Sequence, residues 1–191
     1  MSEPSTRDQI VTTADMLFYQ RGFEPTSLAN IAGAVGIARG NLTYHFKSKN
    51  ELLAAVIDRR LANTAVMLTT WEEAGDHPAA RILSFIHILI MNRARIMQHG
   101  CPVGTLSNEL AKLDHAAQAD AARLFTLFAD WLERQFILLG QGDKSREQAL
   151  HLLARSQGVA TLAAALRDEG FIRQEVALMT QWLAELTPVD C

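Results

Sequence analysis

The apolar positions of this chain recur at helical spacing almost from end to end. Ile10, Ala14, Leu17 and Phe18 form one stripe, which predicts a first helix from about Arg7 to Arg21. Thr6 and Gln9 have capping-box spacing at its start, and Gly22 followed by apolar Phe23 is a C-terminal stop. A short second helix follows Pro25-Thr26, turns Leu28, Ile31, Ala32 and Val35 inward and ends at Gly36. A third spans Ala38 to His45. A fourth opens at Ser48, where Glu51 completes a capping box, and runs past Trp71 to the break "GDHP". Further helices are expected over 79–98, 104–112, 115–139, 145–168 and 172–186, divided by "GCPVG", "GQGD" and "DEG". Strand signals are nearly absent, with no sustained alternation and no Asn-Gly or Asp-Gly hairpin. The expected fold is all-α, with about nine helices: a compact three-helix front end joined by a long helix to a larger bundle.

Composition narrows the class. The apolar fraction of 49% supports a real core. Cys101 and Cys191 are too far apart in sequence and too few to suggest a disulfide framework or metal array, which fits a reducing cytoplasm. The polar start "MSEPSTRDQ" is unlike a signal peptide, and the longest apolar run, "ILSFIHILIM", is half a membrane span. A soluble cytoplasmic protein without membrane partners is expected. The net charge of −3 argues against general polyanion binding but is unevenly placed: residues 1–60 carry +1 and residues 61–191 carry −4. Between Pro25 and Asn50 there is no acid, whereas Arg39, Lys47 and Lys49 lie there.

That basic interval coincides with a helix, a Gly-centred turn and a second short helix, the spacing of a helix-turn-helix. Ala32 is small where two helices must pack closely, Gly36 supplies the turn, and Ile37 and Leu42 anchor the second helix. Arg39, Gly40, Asn41, Thr43, Tyr44 and His45 are left to point outward, and Thr26-Ser27 open the first helix of the motif. Donors beside a flat aromatic body suit base edges and phosphate oxygens. Arg39 and Asn41 are expected to choose sequence, and Tyr44, His45 and Lys49 to grip the backbone. Lys49 falls in the first turn of a helix, where a cation is unfavourable for the helix alone, so a phosphate in front of it accounts for the choice.

The stretch "ADMLFYQRGFEPTSLANIAGAVGIARGNLTYHFKSKNELLAAVI" resembles the DNA-binding segment of the TetR family of bacterial one-component repressors. The likeness includes Gly-Phe after the first helix, Thr-Ser opening the second, Ile-Ala within it, and Tyr-His-Phe, Ser-Lys and Glu-Leu-Leu at the close. Two departures are Thr43, where the family commonly has Tyr, and Ala38, where Ser often caps the recognition helix; both leave the operator sequence open. The resemblance implies a DNA-binding domain over 5–64, with its motif at 28–47, and a ligand-binding and dimerisation domain over 65–191. It also implies a homodimer joined through the last two helices, a double-stranded DNA operator and a small organic effector. "SQGVATLAAAL", Ser156 to Leu166, supports this independently: it carries no charge, and a helix apolar all round must be covered on two sides.

For the effector, Ser84, His87 and Met91 share one face of "ILSFIHILIM", and Phe125, Phe128 and Trp131 are candidates for an opposite wall. Plain core is the other reading of each of these residues. "GCPVGTLSNELA" is similar to a Gly-Cys-Pro-x-Gly segment in one branch of the family, which implies Cys101 and Thr105 beside the pocket. Cys101 reads either as a thiol sensor or as a structural cysteine, and no Lys or Arg adjoins it. Mostly apolar walls imply a neutral or weakly polar effector. No catalytic, cofactor or metal motif is present: there is no Gly-rich phosphate loop, HExxH, zinc spacing or serine elbow. A TetR-like activator and an effector-binding helical protein without DNA binding are the alternative functions.

Overall fold

The computed structural model describes residues 4–187, and every regular element in them is helical. The order is α1 (Thr6–Arg21), α2 (Leu28–Val35), α3 (Arg39–His45), α4 (Lys49–Ala74), α5 (Pro78–Met91), α6 (Arg93–His99), α7 (Pro102–Lys112), α8 (Gln118–Leu138), a 3-10 turn (Gly142–Lys144), α9 (Ser145–Leu166) and α10 (Glu169–Leu186). Ten α-helices therefore stand among the described residues, one more than the sequence pattern suggests. The helix expected over 79–98 divides at Asn92, which leaves helical geometry at ψ 10° and turns its side-chain amide back to the Ile88 carbonyl. Cys191 lies outside the described residues.

Caps fall within a residue or two of their expected places. Ser5, not Thr6, caps α1 by accepting from the Asp8 N–H, and the Gln9 side chain donates to the Pro4 carbonyl. Ser48 Oγ accepts from the Glu51 N–H, and the Glu51 carboxylate accepts from the Lys47 N–H, one residue before the cap itself. Gly36 ends α2 at φ 79°, a conformation that favours glycine, and the Gly36 and Ile37 N–H groups close on the Ala32 carbonyl.

The chain divides into two compact units. The first comprises residues up to Asn63 together with Pro102–Leu124; the second comprises Thr64–Cys101 and residues from Phe125 onward. The first unit packs Ile10, Ala14, Leu17 and Phe18 of α1 against Ile31 and Ala32 of α2, Leu42 of α3 and Leu52, Leu53, Val56 and Ile57 of α4. Leu106 and Leu110, one turn apart on α7, complete that core at 4% and 0% exposure. Each contributes about 1.5–3 kcal/mol by burial. A division at 64/65 places α7 in the other half, since no local pattern ties it to the front end; the packing returns it to the first unit. Arg60 reinforces the seat: nearly buried, it donates to Asp15 of α1 at 2.7 Å and to the Pro102 carbonyl at 2.6 Å.

The second unit buries Ile82, Phe85, Ile86 and Leu89 of α5 with Trp131, Leu132 and Phe136 of α8, several residues of α9, and Ile172, Val176, Met179 and Leu183 of α10. On α9, Val159, Ala160 and Ala163 face this core, while Leu162 and Leu166 remain 48% and 60% exposed. Leu178 on α10 is likewise 42% exposed. Glu169, at the start of α10, is held below the usual carboxylate range by its hydrogen bond to Arg173, with Arg93 adding to the effect.

Candidate nucleic-acid interface

Leu42 and Phe46, both fully buried, pin α3 to the first unit's core. Their spacing of four residues turns one side of α3 inward and the other sides outward. Arg39, Gly40, Asn41, Thr43 and Tyr44 are all exposed, Tyr44 at 77%, and His45 is half-buried. Tyr44 meets the His45 ring edge-on at 5.3 Å. Arg39, Gly40, Thr43, Tyr44 and Lys47 line a shallow open depression on this surface. Lys47 belongs to the basic interval of the sequence but is not among the residues expected to contact DNA. Its Nζ donates to the Thr43 and Tyr44 carbonyls and lies 5.8 Å from the Tyr44 ring centroid, so it caps α3 and adds charge to the same face. The local signal for it is a lysine just past a helix C-terminus.

Side chains of four of the expected contact residues also bond within the chain. The Thr43 hydroxyl donates to the Arg39 carbonyl at 2.9 Å, leaving its lone pairs to accept from an outside donor. Thr26 is 1% exposed, and its hydroxyl donates to the Gly22 carbonyl at 2.6 Å. That corrects its expected place on the DNA-facing surface: the hydroxyl closes the turn after α1. Ser27 does stand exposed, as the cap of α2 in a reciprocal pair with Asn30. Lys49 is engaged as well. Its Nζ donates to the Phe23 and Glu24 carbonyls at 3.1 Å each, lies 3.8 Å from the Glu24 carboxylate, and sits 4.2 Å from the Phe23 ring centroid. The Lys49 ammonium thus faces the chain's own carbonyls and the Glu24 carboxylate.

The α1–α2 turn is also held by a residue that sequence reading misses. Glu109 of α7 accepts from the Phe23 N–H at 2.8 Å and the Glu24 N–H at 2.9 Å. His115, just beyond α7, packs edge-on against the Phe23 ring at 5.2 Å. Its Nδ1 accepts from the Ala117 N–H, so Nε2 carries the proton toward Asn50 Oδ1 at 3.2 Å. The contacts of Glu109 with Phe23 and Glu24, and of His115 with Phe23 and Asn50, span more than 60 positions in sequence, beyond the reach of any local signal.

The model for bacterial regulatory proteins of the tetR family matches residues 10–56, which contain α2, α3 and the turn between them. An HTH-type transcriptional regulator from the lacX 3′ region of Lactococcus lactis subsp. lactis, itself uncharacterised, is 27% identical over 179 residues, covering 92% of this chain and 91% of that protein. The nucleoid occlusion factor SlmA of Pasteurella multocida is 30% identical over 142 residues, covering 74% of this chain and 68% of that protein. This chain belongs to the TetR family. The fold agrees: a solved TetR transcriptional regulator from Legionella pneumophila superposes with a TM-score of 0.85 at 23% identity, over 95% of this chain and 98% of that one. TetR-family proteins are DNA-binding regulators of transcription, typically repressors, and not enzymes.

In this TetR-family chain the residues expected at the effector site are not gathered as the sequence suggests. His87 is exposed and Met91 is 78% exposed, because the core stripe of α5 is Ile82, Phe85, Ile86 and Leu89 and the weakly polar stripe turns away from it. Ser84 donates to the Ala80 carbonyl of its own helix. Phe128 packs edge-on with Phe85 at 5.6 Å, Trp131 with Trp71 at 5.7 Å, and Phe125 is half-buried against the same core. Trp131 is 1% exposed, and its Nε1 meets no hydrogen-bond acceptor. Cys101 is half-buried in the second unit, whereas Thr105 is exposed on α7 in the first. Among the described residues, no group of three or more His, Cys, Asp or Glu could hold a metal ion, and no helix is long and apolar enough to cross a membrane.

Proposed function

We propose that this protein is a ligand-responsive one-component repressor that binds a pseudo-palindromic operator as a homodimer and is released by a small organic effector. The observation that carries the reading is the outer face of α3: Arg39, Gly40, Asn41, Thr43 and Tyr44 stand exposed around a fully buried Leu42. Arg39 and Asn41 read base edges in the major groove. Tyr44, His45 and Lys47 grip the phosphate backbone, Gly40 allows its close approach, and Ser27 presents the start of α2 to it. Thr26 and Lys49 act from behind this surface by fixing the turn that leads into α2.

The dimer forms through α9 and α10, the last two helices. Leu162, Leu166 and Leu178 support this, since they are exposed on helices whose other faces are already buried. The effector binds in the second unit, among the aromatic side chains around Phe128 and Trp131, and the buried Trp131 N–H favours a ligand with a hydrogen-bond acceptor. At 26 residues α4 is about 39 Å long, and it contributes to both units, so a small tilt of it carries an effector signal into the DNA-binding unit.

Selection of duplexes from a random-sequence pool, followed by gel-shift titration of the winners, tests the DNA-binding reading. A thermal-shift screen of small metabolites, with hits added back to the gel shift, tests release. Enrichment of one palindromic sequence and its release by a hit are expected; an unenriched pool overturns the reading.

A further inference from the structure

The segment between α1 and α2 is held by opposite charges brought from two distant helices. On one side Glu109 of α7 accepts both the Phe23 and Glu24 N–H groups; on the other Lys49 of α4 donates to both the Phe23 and Glu24 carbonyls. Four backbone polar groups of two adjacent residues are thereby satisfied by two side chains. Gly22 at φ 93° is what makes room, since a Cβ there would stand 3.0 Å from Glu109 Oε1. The turn then closes on itself through the Thr26 hydroxyl and the Gly22 carbonyl, and the next residue, Ser27, is the cap of α2. The turn that leads into α2 is thus held both by local hydrogen bonds and by side chains from two distant helices.

We propose that Glu109 is a positioning residue for DNA binding: the carboxylate delivered by α7 fixes the α1–α2 turn and with it the DNA-facing start of α2. The inference rests on the DNA-binding reading above and extends the machinery to a helix outside the helix-turn-helix. Withdrawal of Glu109 leaves two backbone donors without their acceptor, the turn relaxes toward water, and α2 loses its fixed start. Seating of α7, reinforced by Arg60 on the Pro102 carbonyl, then becomes a condition for tight DNA binding. The sign of the effect separates this role from simple electrostatics. Removing a carboxylate near a phosphate backbone favours binding, whereas removing the clamp disfavours it.

The test uses the full-length protein and a duplex selected by the wild type from a random-sequence pool. Glu109→Gln keeps the side-chain volume but offers one acceptor where two are needed. It is expected to weaken binding at least tenfold, and to lower the slope of log affinity against log salt by about one for each phosphate no longer gripped at a half-site. Faster amide exchange at Phe23 and Glu24 should accompany this, with the melting temperature little changed. Unchanged affinity and slope despite faster exchange, or tighter binding, would overturn the proposal, because a purely structural or purely electrostatic role gives those results. If the variant fails to fold, the wild type decides: by linkage, DNA should raise the exchange protection of the Phe23 and Glu24 amides, and unaltered protection would count against a positioning role. A wild type that enriches no duplex overturns the DNA-binding reading and this proposal with it. A wild type that binds DNA beside an unimpaired Glu109→Gln overturns this proposal alone.

Discussion

Lys49 grips Phe23 twice: its ammonium donates to the Phe23 carbonyl at 3.1 Å and lies 4.2 Å from the centroid of the Phe23 ring. The contact joins the first turn of α4 to the end of α1 and leaves the Lys49 ammonium directed at its own chain. Lys49→Met is therefore expected to lower stability by about 1–2 kcal/mol, as for a partly exposed charged hydrogen bond with a cation–π contribution. It should also weaken binding to all DNA sequences alike, through the turn. In DNA binding, its combination with Glu109→Gln should be clearly less than additive, because both variants loosen the same turn at Phe23 and Glu24. Full additivity in a double-mutant cycle would instead mean that Lys49 reaches a phosphate itself.

Arg39→Ala should cost ~1–3 kcal/mol of DNA affinity and relax preference at one base position, as expected for a base-edge contact. Tyr44→Ala should weaken binding uniformly across sequences. Titration of both variants against a panel of single-base-changed duplexes checks the pair of roles. A base preference altered by Tyr44→Ala but not by Arg39→Ala would reverse them.

Gly40 sits in the first turn of α3 with nothing within 4 Å of where a Cβ would stand. Alanine there should stabilise the folded protein by roughly 0.5–1 kcal/mol. The same methyl should weaken DNA binding if the sugar-phosphate backbone approaches this position. Thermal melts and gel shifts on one sample read the two signs, and a Gly40→Ala variant that binds as well as wild type removes Gly40 from the interface.

Leu162 points away from its own core, so Leu162→Glu should leave the fold intact while placing a charge in the α9–α10 dimer interface. Sedimentation at micromolar concentration should show a monomer for this variant and a dimer for the wild type, with matching far-ultraviolet spectra. A variant that remains dimeric would place the interface elsewhere.

Arg60→Met should destabilise the first unit by about 3 kcal/mol, the lower end of the range for breaking a buried pair, since Asp15 keeps partial access to water. Chemical denaturation measures it directly. A change below about 1 kcal/mol would mean that Asp15 and the Pro102 carbonyl find water without cost.

What is legible in the sequence is local. Gly36 at its left-handed turn, Ser48 with Glu51, and Leu42 inside an otherwise outward α3 each follow from residues within four positions of one another. What escapes it is carried by partners far along the chain. Nothing near Glu109 announces two backbone amides more than 80 residues away, and nothing near Leu106 and Leu110 assigns α7 to the front end. The bonds of Thr26 and Lys49 within the chain are hidden from the sequence for another reason. The same hydroxyl and ammonium that suit a phosphate also suit a backbone carbonyl, and only the folded turn decides between them. On α5 the polar stripe of Ser84, His87 and Met91 suggests a cavity wall, yet an amphipathic helix commonly turns such a stripe outward, as this one does.

Hydroxyl-radical footprinting of the wild-type protein on its selected duplex tests most directly whether two copies of α3 read one symmetric site. Two protected patches related by a two-fold axis are expected, with centres ~34–36 Å apart or modestly farther, as for recognition helices in successive major grooves. A single unsymmetrical patch, or protection that follows no particular sequence, would contradict it.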